Sequence, residues 1–193
     1  MRKIMQVNSL IPMGIMVVTV LVFTLGGVPL ASAETFVCTK TIGTISVDTL
    51  VVPAGKTCTL NGTKIKGNVI VNTNATLSAS AVQVGGNIQA EGAKNVYVNP
   101  GSIVEGNVQI KQGGGARIER VVIDGDLQFE QNAKLVVAKR NTVNSNLQVF
   151  GNTGGVTLLN NMIAENLQCK ENTPPPTGGG NIAGKKEDQC AKL

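Results

Sequence analysis

Three acidic residues and four cysteines are the side chains of this sequence whose types and spacing suggest chemistry. Glu105 and Asp124 lie one short interval apart, with Asp126 two residues further on. If that interval closes one coil of a repetitive structure, Glu105 and Asp124 stack at about 5 Å. Two carboxyls so placed raise one another's proton affinity, near the separation that retaining glycoside hydrolysis uses. Chemistry of this kind acts on polysaccharides, as a glycosidase or a lyase. Against it, the flanking positions bring no basic cluster for uronate substrates and no aromatic platform apart from Tyr97 and Phe150. The competing expectation is two surface acids beside basic neighbours, which contribute little.

Other chemistries are excluded by composition. The chain contains no His, so a His-based triad, a His general base and a His metal site are all absent. The cysteine spacing matches no zinc motif, and the glycine runs lack the Lys-Ser/Thr of a phosphate loop. No metal and no cofactor is implied. Formal charge is +5, or +3 without Arg2 and Lys3; no basic run exceeds two residues, and Trp is absent. Nucleic acid is therefore a poor partner.

A repeated phrase would position the acids. It reads Ile65-Lys66-Gly67-Asn68-Val69-Ile70, Val84-Gly85-Gly86-Asn87-Ile88-Gln89 and Val104-Glu105-Gly106-Asn107-Val108-Gln109. It continues as Ile123-Asp124-Gly125-Asp126-Leu127-Gln128, Val143-Asn144-Ser145-Asn146-Leu147-Gln148 and Ile163-Ala164-Glu165-Asn166-Leu167-Gln168. The aliphatic after the Asn falls at 69, 88, 108, 127, 147 and 167, a period of 19–20. Such a period marks an array in which each repeat buries its apolar side against its neighbours. Alternation is strand-like, with Val69/Val71, Val108/Ile110, Leu127/Phe129 and Leu147/Val149 on one parity. A second inward pair follows at Leu77/Ala79, Val96/Val98, Ala116/Ile118 and Leu135/Val137, and the column from Ile65 to Ile163 supplies a third. Three short strands per turn describe an all-β, single-stranded parallel β-helix (β-solenoid) of about six to seven coils. A period that is not a multiple of six favours the right-handed coil over the left-handed hexapeptide one.

Three polar columns run through this phrase. Gly67, Gly86, Gly106 and Gly125 mark a corner where positive φ would favour Gly, broken later by Ser145 and Glu165. Asn68, Asn87, Asn107, Asp126, Asn146 and Asn166 can form a side-chain ladder from coil to coil. Gln89, Gln109, Gln128, Gln148 and Gln168 form a second, outward ladder whose expected role is stabilisation rather than recognition. No column repeats Thr, as an ice-binding face would need.

Residues 1–33 read as a secretory signal peptide: Arg2 and Lys3, an apolar run from Leu10 to about Leu25, then Ala31-Ser32-Ala33 before Glu34. Pro12, Gly26, Gly27 and Pro29 leave the apolar span short of the roughly 20 residues a membrane helix needs, so no membrane is expected in the mature form. Residues 34–63 form an N-terminal cap and first coil, with Thr35-Phe36-Val37-Cys38 as its cover. Residues 64–169 are regular coils, with one extra residue near Gly154 shifting a strand to Val156/Leu158. Residues 170–193 are a Pro/Gly-rich C-terminal cap whose three prolines forbid ladder donors until Asn181-Ile182 resumes the register.

That closing stretch, from Asn166-Leu167-Gln168-Cys169 through Pro174-Pro175-Pro176-Thr177-Gly178-Gly179-Gly180 to Asp188-Gln189-Cys190, resembles a group of uncharacterised exported bacterial proteins with Gly-Asn-Leu-Gln repeats and a Cys-bounded end. The resemblance spans essentially all of the chain after residue 33. It implies an exported bacterial β-helix and carries no activity.

The cysteines follow from the period. Cys38 and Cys58 are 20 apart, and Cys169 and Cys190 are 21 apart, each about one coil. Residues one coil apart lie about 4.8 Å from one another, within disulfide range, whereas the other pairings would cross a rigid rod. The sequence thus predicts Cys38–Cys58 and Cys169–Cys190, formed in an oxidising compartment. Two functional expectations stand. One is a secreted or envelope, non-enzymatic β-solenoid that presents flat faces to a polysaccharide, to another envelope protein or to itself. The other is a polysaccharide-processing enzyme using Glu105, Asp124 and Asp126.

Overall fold

The computed structural model describes residues 34–193; residues 1–33, expected from the sequence to be a signal peptide, lie outside them. Within this range the chain winds as a β-solenoid of three parallel sheets, nine-, eight- and seven-stranded. One coil shows the pattern: Val108–Lys111 enters the first sheet, Gly115–Glu119 the second and Val122–Ile123 the third. Every strand pairs with the strand one coil away, so Val108 is opposite Leu127, and Leu127 opposite Leu147. In-register parallel pairing stacks like on like, and an inward column of Val, Ile and Leu becomes a continuous core. Val69, Ile88, Val108, Leu127, Leu147 and Leu167 are all buried, as are Ile65, Val84, Val104, Ile123, Val143 and Ile163.

The rod has about eight turns rather than six to seven, because both ends pair although neither carries the repeated phrase. Thr35–Val37 is a strand in its own right, the terminal one of the first sheet, opposite Thr49–Val51. At the other end Thr177–Gly179 pairs with Thr157–Leu159, and Lys185–Asp188 with Asn166–Cys169. The prolines do not block this. Thr173 makes the last backbone donation before them, to the Asn152 carbonyl, and the ladder resumes after them. Gly178 passes so close to Leu158 that a Cβ there would overlap its carbonyl oxygen, which accounts for glycine at that position.

Two local expectations are corrected. Leu135 and Val137 do not point inward: Val136 and Ala138 are buried, and Leu135 is 54% exposed. The extra residue enters here, one coil before Gly154, since Ala116 is opposite Val136 while Val108 is opposite Leu127. With a side-chain period of two, one inserted residue exchanges inside for outside. The glycine column is also differently caused. None of Gly67, Gly86, Gly106 and Gly125 has positive φ. A Cβ at Gly106 would instead meet Asn87 Oδ1 and lie 2.7 Å from the Gly86 carbonyl oxygen. At Gly86, Gly106 and Gly125 glycine is favoured because the Asn ladder and the preceding glycine's backbone approach so closely, whereas Gly67 faces Thr49 and Asp48. Left-handed residues occupy the other two corners, as Gly92, Gln112, Gln131, Gly151 and Glu171 and as Arg120, Arg140 and Asn160.

Candidate functional site

The first sheet turns its glutamine column outward. Gln109 Nε2 donates to Gln128 Oε1 at 3.1 Å, Gln128 to Gln148 at 2.9 Å and Gln148 to Gln168 at 3.0 Å. The run ends on Glu187, which accepts from Gln168 at 2.9 Å. Glu187 is held below the ordinary glutamate range, first by its bond from Lys185 and then by that from Gln168. Gln89 shares the column but takes no part in the hydrogen-bonded run among the described residues. Where the run stops, a groove of about 520 Å³ opens on the same face, lined by Ile70, Gln89, Glu91, Gln109, Lys111 and Gln112.

The asparagine column is bonded to the main chain more than to itself. Asn68 Oδ1 accepts the Asn87 N–H at 2.8 Å, Asn87 Oδ1 that of Asn107 at 2.7 Å, and Asn107 Oδ1 that of Asp126 at 2.8 Å. Asp126 continues the pattern, accepting from the Asn146 N–H at 2.9 Å, and Asn146 accepts from Asn166 at 3.2 Å. Each side chain therefore supplies an acceptor that the corner's backbone lacks.

This arrangement decides what the carboxylates can do. Burial pushes the Asp126 carboxyl up. The bonds from the Asn146 backbone, Ser145, the Asn146 amide and Gln128 outweigh that and hold it below the usual aspartate value. It is a fixed acceptor, unsuited to giving up a proton. Asp124 accepts from Asn144 Nδ2 at 2.9 Å. Glu105 shares its column, since Glu105 and Asp124 donate to Val84 and Val104 one coil apart. Both are exposed. Among the described residues no three carboxylate or thiolate groups converge as a metal cage requires.

Two further ladders escaped the sequence reading. Asn132, Asn152 and Asn172 are buried at one corner, and Asn141, Asn161 and Asn181 at another. Asn152 Oδ1 accepts both the Asn132 N–H, at 3.0 Å, and Asn132 Nδ2, at 2.9 Å, while Asn152 Nδ2 reaches back to the Phe129 carbonyl at 3.0 Å. Asn161 does the same with Asn141 and the Ala138 carbonyl. Gln189 closes the first of these columns: its Oε1 accepts from Asn172 N–H at 2.9 Å, and its Nε2 returns a bond to the Asn172 carbonyl at 2.9 Å. Their signal was present as Asn recurring every 20 residues directly after a left-handed position.

The cysteines close one coil at each end. Cys38 is bonded to Cys58 and Cys169 to Cys190, with Cα–Cα distances of 5.5 and 5.3 Å, and none is free among the described residues. Such bonds persist in an oxidising, extracellular-type environment. Among the described residues no helix is long and apolar enough to cross a membrane. No protein-family model, curated protein or solved structure matches this chain.

Proposed function

We propose that this is a secreted or envelope, non-enzymatic β-solenoid whose amide-lined face lies along a polysaccharide. The observation that carries the proposal is the groove beside Gln89 and Gln109, where the glutamine run stops and amides are left to meet a ligand. Primary amides offer donor and acceptor at once, as a hydroxyl-rich polymer needs. Glu91 and Lys111 border the groove with one charge of each sign, which suits neutral chains better than polyanions. The residues ahead of Glu34 supply the export signal of this proposal, and the rod of disulfide-capped coils supplies rigidity outside the cell.

The test is a panel of neutral and acidic glycans offered to the purified protein, with binding and new reducing ends or unsaturated products measured together. Binding without turnover, weakened tenfold or more by Gln89→Ala with an unchanged melt, is the expected result. Turnover that disappears with Glu105→Gln or Asp124→Asn would replace this function with the enzymatic one. N-terminal sequencing of exported protein should begin at Glu34.

A further inference from the structure

The third sheet is the narrowest, and its outward surface is organised in three columns. Its central column becomes apolar along the rod: Ile103, Val122 and, beyond the half-buried Thr142, Met162 and Ile182, with exposures of 41%, 39%, 57% and 64%. These are stacked neighbours, since Ile103 is opposite Val122, Val122 opposite Thr142, Thr142 opposite Met162, and Met162 opposite Ile182. Two residues before this column, at the left-handed corner, stand the exposed side chains of Arg120 and Arg140. Two residues after it stand Glu105 and Asp124. Neither arginine enters an ion pair among the described residues. A contiguous exposed apolar strip bordered by unlike charges calls for a partner.

We propose that the partner is a second copy of this chain, packed face to face with its rod parallel to the first. A two-fold axis along the apolar column sets coil upon equal coil, so Val122 meets Val122 and Met162 meets Met162. The same operation exchanges the borders, bringing Arg120 of each copy opposite Asp124 of the other, with Glu105 and Arg140 one coil to either side. The antiparallel alternative keeps each border on its own side. It would set Arg120 against Arg140 and the acids against their own border. Charge therefore selects the parallel arrangement. An isologous contact of this kind closes on itself and gives a dimer, not a fibre.

The area is small but sufficient. Six coils from Gln83 to Ile182 at about 4.8 Å, across about 17 Å of face, give roughly 500 Å² per copy, or about 1,000 Å² in all. That is near the lower limit of specific interfaces, and the dimer should be reversible. At the N-terminal end Lys64 of one copy would face Lys64 of the other, which ends the contact there.

The experiment is sedimentation velocity on the full chain recovered after export, at rising concentration and low salt. Expected are a monomer–dimer equilibrium, loss of dimer in Val122→Lys/Met162→Lys, and an unchanged melt for that variant, whose substitutions point outward. Arg120→Asp should weaken the dimer at least tenfold, and Arg120→Asp/Asp124→Arg should recover it. A monomer at every concentration up to about 1 mM, where even weak contacts register, would overturn the proposal. So would tighter association in Arg120→Asp, the sign the antiparallel arrangement requires.

Discussion

Replacing Asn152 by Leu keeps the branching and heavy-atom count of the side chain and exchanges its polar atoms for methyls. The buried Asn132 N–H then loses its acceptor at 3.0 Å, and the Phe129 carbonyl loses the amide that reaches it at 3.0 Å. Asn132 Nδ2 keeps its bond to the Ile110 carbonyl, and Asn172 Oδ1 remains available to the backbone. The Asn132 N–H is thus orphaned, at about 1–3 kcal/mol, while the Phe129 carbonyl keeps its pairing to the next strand and loses a second bond worth about 1 kcal/mol, for a total of roughly 2–4 kcal/mol. That is a large share of the ~5–15 kcal/mol that holds a typical fold together. The control is Gln148→Leu on the outer ladder. Its lost partners can turn to water, and the cost should stay near 1 kcal/mol. Urea unfolding with both disulfides oxidised gives the totals, and hydrogen exchange at the Asn132 amide locates the damage. If Asn152→Leu cost no more than Gln148→Leu, or left Asn132 protected, the buried ladder would not be a structural requirement.

Gly125→Ala should cost about 2–4 kcal/mol, because a Cβ there meets Asn107 Oδ1 and lies 2.9 Å from the Gly106 carbonyl oxygen, whereas Gly43→Ala, in open space, should be near neutral in the same melts. Asp126 has a depressed carboxyl in the fold, so its contribution to stability is complete above the unfolded value of about 3.9 and is lost as pH falls through the folded value below it. Asp126→Asn keeps an acceptor for the Asn146 N–H, and a series of melts from pH 5 to pH 2 should show a shallower acid loss than the parent. Opening either disulfide, by Cys38→Ala/Cys58→Ala or Cys169→Ala/Cys190→Ala, releases a loop of about 20 residues worth about 3 kcal/mol, a drop of roughly 6–12 °C in Tm by calorimetry.

The fold was legible because parallel pairing is strictly periodic. Once Val69, Ile88, Val108, Leu127, Leu147 and Leu167 are aligned, the core and the cysteine neighbours follow from one number. Leu135 was misplaced because a single inserted residue leaves composition unchanged and reverses parity, and two adjacent apolar residues, Leu135 and Val136, fit either register. Asn132, Asn152 and Asn172 were not recognised because polar residues in a turn are ordinarily solvated. Their partners are backbone groups a coil away, which no local pattern reveals. The glycine column was correctly located and wrongly explained, since a steric demand from Asn87 upon Gly106 arises only after the coils are stacked. The apolar column of the third sheet went unread because its strands, such as Val122–Ile123, are two residues long and show no alternation.

The direction of the ladders bears on how such a chain can lengthen. In the column from Asn68 to Asn166 the backbone donor belongs to the later coil, as with Asn87 and Asn68, while in the buried columns it belongs to the earlier one, as with Asn132 and Asn152. Each coil in the second half is therefore both a customer and a supplier of its neighbours, and any one of them satisfies the next in the same way. Gene duplication of a 20-residue unit between Asn132 and Asn152 would insert a coil that finds every acceptor already in place. The same event between Gly92 and Gln112 would bring no Asn to either buried corner. Relatives of different length should accordingly differ by whole coils in the C-terminal half, each keeping its own Gln189 to finish the column.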